Sequence, residues 1–594
     1  MDRLAPRLGL RAGRQLGWLI MLLLLCIGSL WLFLGDTLFN TRGEPREALV
    51  SMAMVNTNDW ILPITNGVDL AYKPPFFHWC GALTATLYGE VSEFTSRFPS
   101  ALGLTLIVLS TFTFYAKRRS KAVALLTALI TLTNFELHRA GVAARVDMVL
   151  TTAIVIALFA LYRWCERGLS GVPWIASLAM SAAFLTKGPV GLVLPCLVAG
   201  IFAWWRIRSF WSVLWRFTLL AITSCILPLT WYMAAYAQGG EAFWQLVYEE
   251  NVLRFLGKMS YASHENPWHY NLLTIIAGFL PYTLVVATSV FVLPWKHWIA
   301  SLSRPTLSWW HNTRHYLSTM DSTRLYTLLC IVVMFIFYCI PKSKRSTYLM
   351  PLYPFIAYYL AEYLPYLWRT RQHIVVWFGR FVAFLCVLLP IVYLLIHGEL
   401  IAPEWLGERK LVLHTFMFQA LRDTAWSTEH LTLLILPLGI AIYWLSQHCR
   451  EERYWSGIPQ RLALIPVMLV GIFMALDGLY QPAILGAKSS YGFVQQIKDI
   501  TPRDTLYYYD NDFAPGNRMH PFTANFYLNG RLVPFIEFGQ QHTEGYVLIG
   551  NDDIEAFIHA YPQLRLTSLL SADRPSPDDN AYYTFYRFTI HQEQ

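Results

Sequence analysis

The chain has 594 residues, of which 55% are hydrophobic and 14% charged, whereas soluble proteins carry about 25% charged residues. Its mean hydropathy is +0.38 and its formal net charge is +8. This composition excludes a disordered chain, a fibrous repeat and an ordinary soluble enzyme, and it favours a protein that crosses the membrane many times. The basic residues lie in short loops between apolar runs, which argues against a nucleic-acid-binding face.

The N-terminal segment contains four arginines and is followed by an apolar stretch over 16–35. A signal peptide is the alternative, but the apolar run is long and no small-residue cleavage site follows it. We therefore predict a first transmembrane helix with a cytoplasmic N-terminus.

Later apolar stretches bring the predicted number of transmembrane helices to about thirteen. They are 98–116, 122–136, 148–164, 169–186, 189–205, 213–236, 271–293, 325–341, 348–366, 375–397, 430–446 and 462–480. The loops that then fall inside are basic, as the positive-inside rule requires. These inner loops are 116–121, 163–168, 205–211, 294–324, 368–373 and 449–455. An odd number of spans places the C-terminus outside the cytoplasm.

The sequence changes character after about residue 481, where polar residues become frequent. Helical patterns over 489–500, 520–530 and 551–562 alternate with strand patterns over 505–510, 531–536, 545–550 and 581–590. This alternation predicts a small α/β domain outside the membrane. We therefore divide the chain into a transmembrane domain, 1–480, and a C-terminal extracytoplasmic domain, 481–594.

The cysteines and the metal-binding patterns do not indicate a function. None of the nine cysteines forms a C-x-x-C pair, and the last one is Cys449, so no disulfide framework or cysteine-based zinc site is expected. The D-x-D sequence of Asp510, Asn511 and Asp512 follows a predicted strand, and we interpret it as a turn.

The predicted outer loops carry cations that the positive-inside rule disfavours there. They are Arg42, Arg46, Lys73, Arg139, Arg145, Lys187, Arg254, Lys342, Lys344 and Arg345. One interpretation is ordinary solvated loop charge. The other is a shared anion site at the outer membrane face, for which phosphate is the natural ligand.

Two carboxylates lie at outer mouths of predicted spans. Glu44 belongs to a long first outer loop, which predicts a short amphipathic helix along the membrane over Ala48–Met54 and a second interfacial helix beginning at Pro75. Asp147 begins the span near Met148. Either carboxylate could act as a general base or bind a cation, or could form a structural ion pair with a neighbouring arginine.

The first outer loop, GEPREALVSMAMVNTNDWILP and then YKPPFFHW, resembles the first periplasmic loop of the integral-membrane C-type glycosyltransferases. The relatives concerned are the lipid A aminoarabinose transferases and the protein O-mannosyltransferases. The aminoarabinose transferases have an Asp-Glu-x-Arg-Tyr-Ala signature, then Asp-Trp, then Glu-Lys-Pro. The matching positions are Gly43, Glu44, Arg46, Glu47, Ala48, Asp59, Trp60, Tyr72, Lys73 and Pro74.

Further motifs match in the same order along the chain. They are Asp147, then Thr186, Lys187 and Gly188, then Glu250, Arg254, Phe255, His264, Pro267, Trp268 and Tyr270, then Lys342, Lys344 and Tyr348. Two departures from the pattern matter for the chemistry: Gly43 replaces the first acid of the signature, and Tyr72 replaces the acid before Lys73. These departures leave the catalytic base, a divalent metal ion and the identity of the sugar open.

The resemblance implies a bacterial inner-membrane enzyme that transfers a sugar from a polyprenyl phosphate to an envelope acceptor at the periplasmic face. It implies Glu44 and Asp147 as catalytic residues. It also implies a donor-binding set, which comprises Arg46, Tyr72, Lys73, Lys187, Arg254, His264, Lys342, Lys344, Arg345 and Tyr348. Lipid A or a related glycolipid is the expected acceptor, and a protein Ser or Thr hydroxyl is the alternative. A lipid or glycan transporter is the rival class, but we find no internal repeat, and the charges lie at helix ends.

Overall fold

The apolar runs of the sequence form long helices in a computed structural model of the chain, which describes residues 5–256, 258, 265–291, 314–407, 411–447, 453–455, 457–511 and 520–590. The helices of the first half are α1 Ala5–Cys26, α2 Gly43–Thr57, α3 Phe76–Tyr88, α4 Glu93–Arg118, α5 Lys121–Leu132, α6 Phe135–Gly141, α7 Val146–Glu166, α8 Trp174–Lys187, α9 Val190–Ile207, α10 Phe210–Tyr248, α11 Arg254–Leu256, α12 His269–Gly278 and α13 Tyr282–Val290. Those that follow are α14 Ser322–Cys339, α15 Tyr353–Thr370, α16 Gln372–His397, α17 Leu411–Arg422, α18 Thr428–Ser446, α19 Gln460–Ala475, α20 Gln481–Gly486, α21 Tyr491–Ile500, α22 Phe522–Tyr527, α23 Phe535–Phe538 and α24 Ile554–Ala560.

Each of the predicted spans falls on a helix or a helix pair, which makes the chain a polytopic α-helical protein. Among the described residues, eight helices are long and apolar enough to cross a membrane, and the bent pair α12 and α13 raises that number to nine. The helices Gln15–Trp31, Lys121–Leu132 and Trp174–Lys187 are apolar but shorter. The total of about thirteen spans stays a prediction, since it counts these shorter helices as spans.

The loops that the sequence places inside meet at one end of the helices. Arg118 pairs with Glu166 at 2.5 Å, and Arg119 and Arg324 both contact Glu362, at 2.7 and 3.0 Å. Nη2 of Arg206 donates to Ser322 Oγ at 2.6 Å. The helices that the inner loops 116–121, 163–168, 205–211 and 294–324 connect therefore alternate in direction, as the positive-inside pattern predicts.

The first outer loop is more ordered than its sequence suggests. The predicted helix Ala48–Met54 is the middle of a longer helix, α2, which begins at Gly43 and ends at Thr57. A short hairpin follows, in which two strands of two residues each, Ile64–Thr65 (β1) and Asp69–Leu70 (β2), pair with each other. The second predicted helix is α3, with Pro75 at its N-cap.

A five-stranded sheet occupies the C-terminal region. Beyond the short pair β3 Tyr454–Trp455 and β4 Ile458–Pro459, the strands are β5 Leu506–Tyr509, β6 Leu532–Pro534, β7 Glu544–Gly550, β8 Leu564–Ser571 and β9 Tyr583–Ile590. Their order is β6-β5-β7-β9-β8, with β5 parallel to both its neighbours and β9 antiparallel to both of its own. Every predicted element of this region is present, and β8 is the strand that the sequence patterns missed.

The helix α2 packs against the C-terminal region, and its predicted position along the membrane surface stays a prediction. Its residues Ala48, Leu49 and Met52 belong to one buried cluster with Val494 and Phe522. This packing explains why α2 forms, because its apolar face finds a core to bury itself in.

Polar contacts hold the loop before α2 and the β1–β2 hairpin to the same region. The Tyr527 hydroxyl accepts a hydrogen bond from the Phe39 backbone N–H at 2.8 Å. Asn525 Nδ2 donates to Asn66 Oδ1 at 2.9 Å, and His520 Nε2 lies 2.7 Å from Asp69 Oδ2. The C-terminal region thus fixes the position of the first outer loop on both sides of α2.

Glycines allow the tight turn between α8 and α9. Gly188 has a φ of 76°, and a Cβ there would lie 2.5 Å from Asn251 Oδ1. A Cβ at Gly191 would lie 2.4 Å from the backbone carbon of Ala183. The two helices can therefore approach closely only where residue 191 has no side chain.

Replacing Gly191 with alanine is expected to lower the free energy of unfolding by about 1–3 kcal/mol, because backbone must move to admit the methyl group. Thermal melting of the purified protein in one detergent measures the effect. Gly200→Ala is the matched control, since Gly200 lies on the same helix and a Cβ there meets nothing within 4 Å. Equal melting temperatures for the two variants would contradict the close approach.

Candidate functional site

The N-terminal end of α2 places two carboxylates, Glu44 and Glu47, on a buried helix. Arg97 on α4 donates to Glu44 through Nε at 2.9 Å and through Nη2 at 3.3 Å. The backbone N–H of Ala144 donates to the same carboxylate at 2.8 Å. Burial raises the pKa of Glu44, but the charge and hydrogen bonds of Arg97 and the Ala144 N–H outweigh it, so the pKa lies below its usual value.

These contacts favour a structural role for Glu44 over the predicted role as a general base. A base must present a free lone pair to the acceptor proton and needs a pKa near the working pH. Oε1 of Glu44 accepts two hydrogen bonds and Oε2 accepts one, and the lowered pKa makes this carboxylate a weaker base. The catalytic role of Glu44 therefore stays a prediction.

Glu47 is the carboxylate at which the cations meet. Arg46 donates to its Oε1 through Nη2 at 2.7 Å and through Nε at 3.2 Å. Lys73 Nζ lies 3.6 Å from the same oxygen, and His78 Nε2 lies 3.0 Å from Oε2. Burial raises the pKa of Glu47, but the charges of Lys73 and Arg46 hold it well below its usual value.

Lys73 lies between charged groups that come from several parts of the chain. Repulsion by Arg46, together with burial and a smaller effect of Lys187, lowers the pKa of Lys73 against the opposing attraction of Glu47 and Glu250. These interactions place the two lysines, which are more than a hundred residues apart in sequence, near each other.

Glu250 brings two further predicted residues to this place. The Tyr72 hydroxyl donates to its Oε1 at 3.2 Å. Arg254 pairs with its Oε2 at 2.5 Å. Glu250 therefore links the segment before Lys73 to the segment after α10.

Lys187 ends α8 and forms an ion pair with Asp147 at the start of α7. Its ammonium group also lies 4.2 Å from the centre of the Tyr348 ring, a cation–π contact. Asp147 thus belongs to the site through Lys187, as a residue that holds the cation.

Arg46, Lys73 and Lys187, which we call the cation cluster, share one arrangement. Their side chains are 39%, 37% and 32% exposed, whereas those of the carboxylates behind them, Glu47 and Asp147, are 9% and 17% exposed. The cations therefore face outward and the carboxylates lie beneath them. Such a surface is suited to an anion that arrives from outside, above all a phosphate.

Other predicted donor-binding residues are placed differently. Lys344 is buried, and its ammonium group donates to the backbone carbonyls of Asn266 and Pro341, at 2.9 and 2.6 Å. These bonds hold the loop of Lys344 to the segment before α12. Lys342 and Arg345 are exposed on the same loop, and their convergence with Lys73 stays a prediction. His264 lies outside the described residues.

Four residues of the site are not among those predicted from the sequence: Glu47, His78, Arg97 and Glu250. His78 and Arg97 lie on helices α3 and α4, where nothing in their spacing distinguishes them from other polar residues. Glu47 and Glu250 did fall within the matched motifs. Their proximity to Arg46 and Arg254 in the chain was the signal that could have singled them out.

A metal site would need several oxygen, nitrogen or sulfur ligands at one place. Within the part of the chain that the structure describes, no group of three or more His, Cys, Asp or Glu is arranged to hold a metal ion. The divalent ion of the sequence analysis stays a prediction, and the chemistry below is derived from the side chains alone.

Comparison with known proteins identifies relatives of two kinds. The family described as dolichyl-phosphate-mannose-protein mannosyltransferase matches residues 53–243. An undecaprenyl phosphate-alpha-4-amino-4-deoxy-L-arabinose arabinosyl transferase from Enterobacter sp. is 27% identical over 80% of this chain and 79% of its own length. A protein of the same name from Pseudomonas aeruginosa is 29% identical over 52% of each chain.

Among solved structures, the crystal structure of ArnT from Cupriavidus metallidurans bound to undecaprenyl phosphate superimposes with a TM-score of 0.66. The match covers 96% of this chain and 98% of that one at 18% identity, so it shows a shared fold. These comparisons confirm the resemblance inferred from the motifs: the chain is similar to membrane glycosyltransferases of the C type, and the similarity to the aminoarabinose transferases spans most of its length.

Proposed function

We propose that this protein is a glycosyltransferase that takes a sugar from a polyprenyl phosphate, of the undecaprenyl type, and transfers it to an envelope acceptor, lipid A or a related glycolipid. The single observation that carries the proposal is the cation cluster, in which three partly exposed cations lie over two less exposed carboxylates. The names of the relatives supply the donor class, and the resemblance of the motifs supplies the glycolipid acceptor. A pentose such as aminoarabinose is the first donor to test, and a hexose is the second.

The chemistry that the cluster supports is a displacement at the anomeric carbon. An acceptor oxygen forms the new bond to that carbon while the bond from the carbon to the lipid phosphate breaks, and the phosphate leaves with the electron pair. Negative charge develops on the phosphate as it leaves. Preorganised cations stabilise that charge more in the transition state than in the ground state, which is how they accelerate the reaction.

The acceptor can be argued from the carboxylates. A Ser or Thr hydroxyl needs a base to remove its proton, but Glu44 and Glu47 both have pKa values below the usual value and engage in ion pairs. A phosphate acceptor is already ionised near neutral pH and has no proton to lose. A phosphate group of lipid A therefore fits this site better than a protein hydroxyl.

Protein O-glycosylation is the second candidate function. The family match over 53–243, which carries the name of a protein mannosyltransferase, is the observation that favours it. In that reaction a carboxylate that is free of strong ion pairs would have to take the hydroxyl proton.

The proposed setting is the bacterial inner membrane, with the N-terminus in the cytoplasm. The cation cluster then opens to the periplasm, where nucleotide sugars are absent and a lipid-carried donor is needed. We further propose the boundary between a transmembrane domain, 1–480, and a periplasmic domain, 481–594.

The direct test is transfer by the purified full-length protein in lipid nanodiscs. Undecaprenyl phosphate carrying aminoarabinose or a hexose is offered with lipid A or with a Ser/Thr-rich peptide, and mass spectrometry identifies the product. We expect the lipid A mass to rise by one sugar. A glycosylated peptide with unmodified lipid A would establish the second candidate instead.

A separate readout distinguishes the transporter. Sealed vesicles that contain the protein would then move labelled lipid-linked sugar across the bilayer without a glycosylated product. That result, with no transfer to either acceptor, would contradict the proposed function.

A further inference from the structure

Glu47 differs from the other carboxylates of the site in the number of side chains that contact it. Its two oxygens contact Arg46, Lys73 and His78, which come from α2, from the loop after β2 and from α3. Glu44, three residues earlier, contacts Arg97 and the Ala144 N–H instead. The two carboxylates of α2 therefore bind different partners, and only Glu47 contacts Arg46 and Lys73.

The helix leaves the position one turn before Glu47 without a side chain. Residues 43 and 47 are four apart and lie on the same face of α2. A Cβ at Gly43 would lie 3.3 Å from Arg145 Nη1, so an acid at that position would reach Arg145. With glycine there, Glu47 is the carboxylate of this face that reaches the cation cluster.

We propose that Glu47 is a positioning residue of the donor-phosphate site, and that its carboxylate holds the side chains of Arg46 and Lys73 where they meet the phosphate. This inference rests on the proposed function. Glu47 acts through the two cations: the transferred sugar and the acceptor oxygen need not touch it.

His78 contacts the carboxylate of Glu47 from the buried side. Its side chain is 2% exposed, and its Nε2 is 3.0 Å from Glu47 Oε2. Within the described residues its Nδ1 has no hydrogen-bond partner, so we assign the ring proton to Nε2, which donates to Glu47. A buried, hydrogen-bonded carboxylate of this kind has little freedom to rotate, and the cations on its other side share its fixed position.

The charge of Glu47 also controls the protonation of Lys73. The charged and titratable groups that face Lys73 are Arg46 and Glu47 from α2, Lys187 from α8 and Glu250 from the segment after α10. The cations lower the pKa of Lys73 and the carboxylates raise it. Removing the charge of Glu47 must therefore lower the pKa of Lys73 further.

The experiment compares Glu47→Gln with Glu47→Asp in the transfer assay over a range of pH. Glutamine keeps the size and removes the charge, so we expect kcat to fall about 100-fold, since a displacement of about 1 Å in a positioning group has that effect. KM for the donor should not rise, because the site gains net positive charge. The alkaline limb of the pH profile should move to lower pH.

Aspartate keeps the negative charge, but its side chain is one methylene group shorter, so the carboxylate lies farther from Arg46 and Lys73. We expect kcat to fall while the alkaline limb stays at the wild-type pH. A loss that only reflected a damaged fold would not separate the two variants in this way. Should Glu47→Gln not fold, an alkaline limb that moves with Glu47→Asp would count against the proposal.

Glu166→Gln is the matched control, because it removes the same charge from an ion pair with Arg118 at the opposite end of the helices. It should leave kcat and the pH profile unchanged. Glu47→Gln with kcat within twofold of the wild type and an unmoved alkaline limb would overturn the inference and leave the proposed function intact. If the wild type neither transfers sugar nor binds undecaprenyl phosphate, the proposed function fails and this inference with it.

Discussion

Replacing Lys73 with methionine is expected to lower kcat for sugar transfer by a factor of about 100 to 1,000, which is the effect of removing one preorganised donor to a developing charge. Methionine preserves much of the length and apolar character of the side chain and removes the ammonium group. Glu47 and Arg46 remain in place, so the variant isolates the loss of one cation from the site. Steady-state kinetics with a polyprenyl-phosphate sugar measures the effect.

Two controls accompany this variant. Lys73→Arg keeps the charge and should retain more activity than the methionine variant, although a guanidinium group does not reproduce the geometry of an ammonium group. Lys488→Met makes the same substitution ahead of α21, at a residue that is not part of the cation cluster, and should leave kcat unchanged. Wild-type turnover in Lys73→Met would remove Lys73 from the mechanism.

Arg97→Met is expected to have the largest effect on stability, lowering the free energy of unfolding by about 3–5 kcal/mol. The Arg97 side chain is 3% exposed, and its partner Glu44 is 9% exposed. Arg97 Nη1 also donates to the backbone carbonyls of Leu34 and Thr37, at 3.0 and 2.7 Å. The substitution leaves a buried carboxylate uncompensated and two carbonyls without their donor.

Denaturation in mixed micelles, with helix content followed by circular dichroism, measures this loss. Arg587→Met is the control, because Arg587 and Glu544 form an exposed pair and such pairs contribute little. In the double variant Arg97→Met with Glu44→Gln we expect part of the stability to return, since no buried charge is left without a partner. A loss below about 1 kcal/mol for Arg97→Met would contradict a buried ion pair.

The ion pair between Glu44 and Arg97 should also make the stability of the protein depend on pH. The pKa of Glu44 is lowered in the folded protein, so the ionised carboxylate stabilises the fold at pH values above its unfolded pKa of about 4.3. That contribution is lost as the pH falls through the lower pKa of the folded state. Glu44→Gln should therefore be less stable than the wild type near neutral pH, and the difference should shrink under acidic conditions.

Much of the architecture could be predicted from local patterns. Long apolar runs with basic inner loops determine helices that alternate in direction, since burial in lipid and the distribution of charge act on each segment separately. The elements of the C-terminal region were predicted for a similar reason, because each carries its own period of apolar residues. The strand Leu564–Ser571 was missed since its residues are mostly exposed, which gives a weak alternation.

Local sequence patterns did not predict the candidate site completely. The charge rule singled out Arg46, Lys73 and Lys187 as cations at an unfavourable place, and the structure brings these three together. It did not separate them from Lys344, whose ammonium group donates to the backbone carbonyls of Pro341 in its own loop and of Asn266 before α12. Charge along the chain cannot show which partners a side chain finds.

The sequence by itself determined that this protein is a polytopic membrane protein with cations in its outer loops and a resemblance to C-type glycosyltransferases. Only the tertiary structure decided the roles of the two carboxylates on α2. Glu44 and Glu47 are three residues apart on one helix, but α4 and residue 144 approach the first while α3 and the loop of Lys73 approach the second. Helices and loops that are distant in sequence supply those partners, and the partners set the charge, the hydrogen bonds and the pKa of each carboxylate.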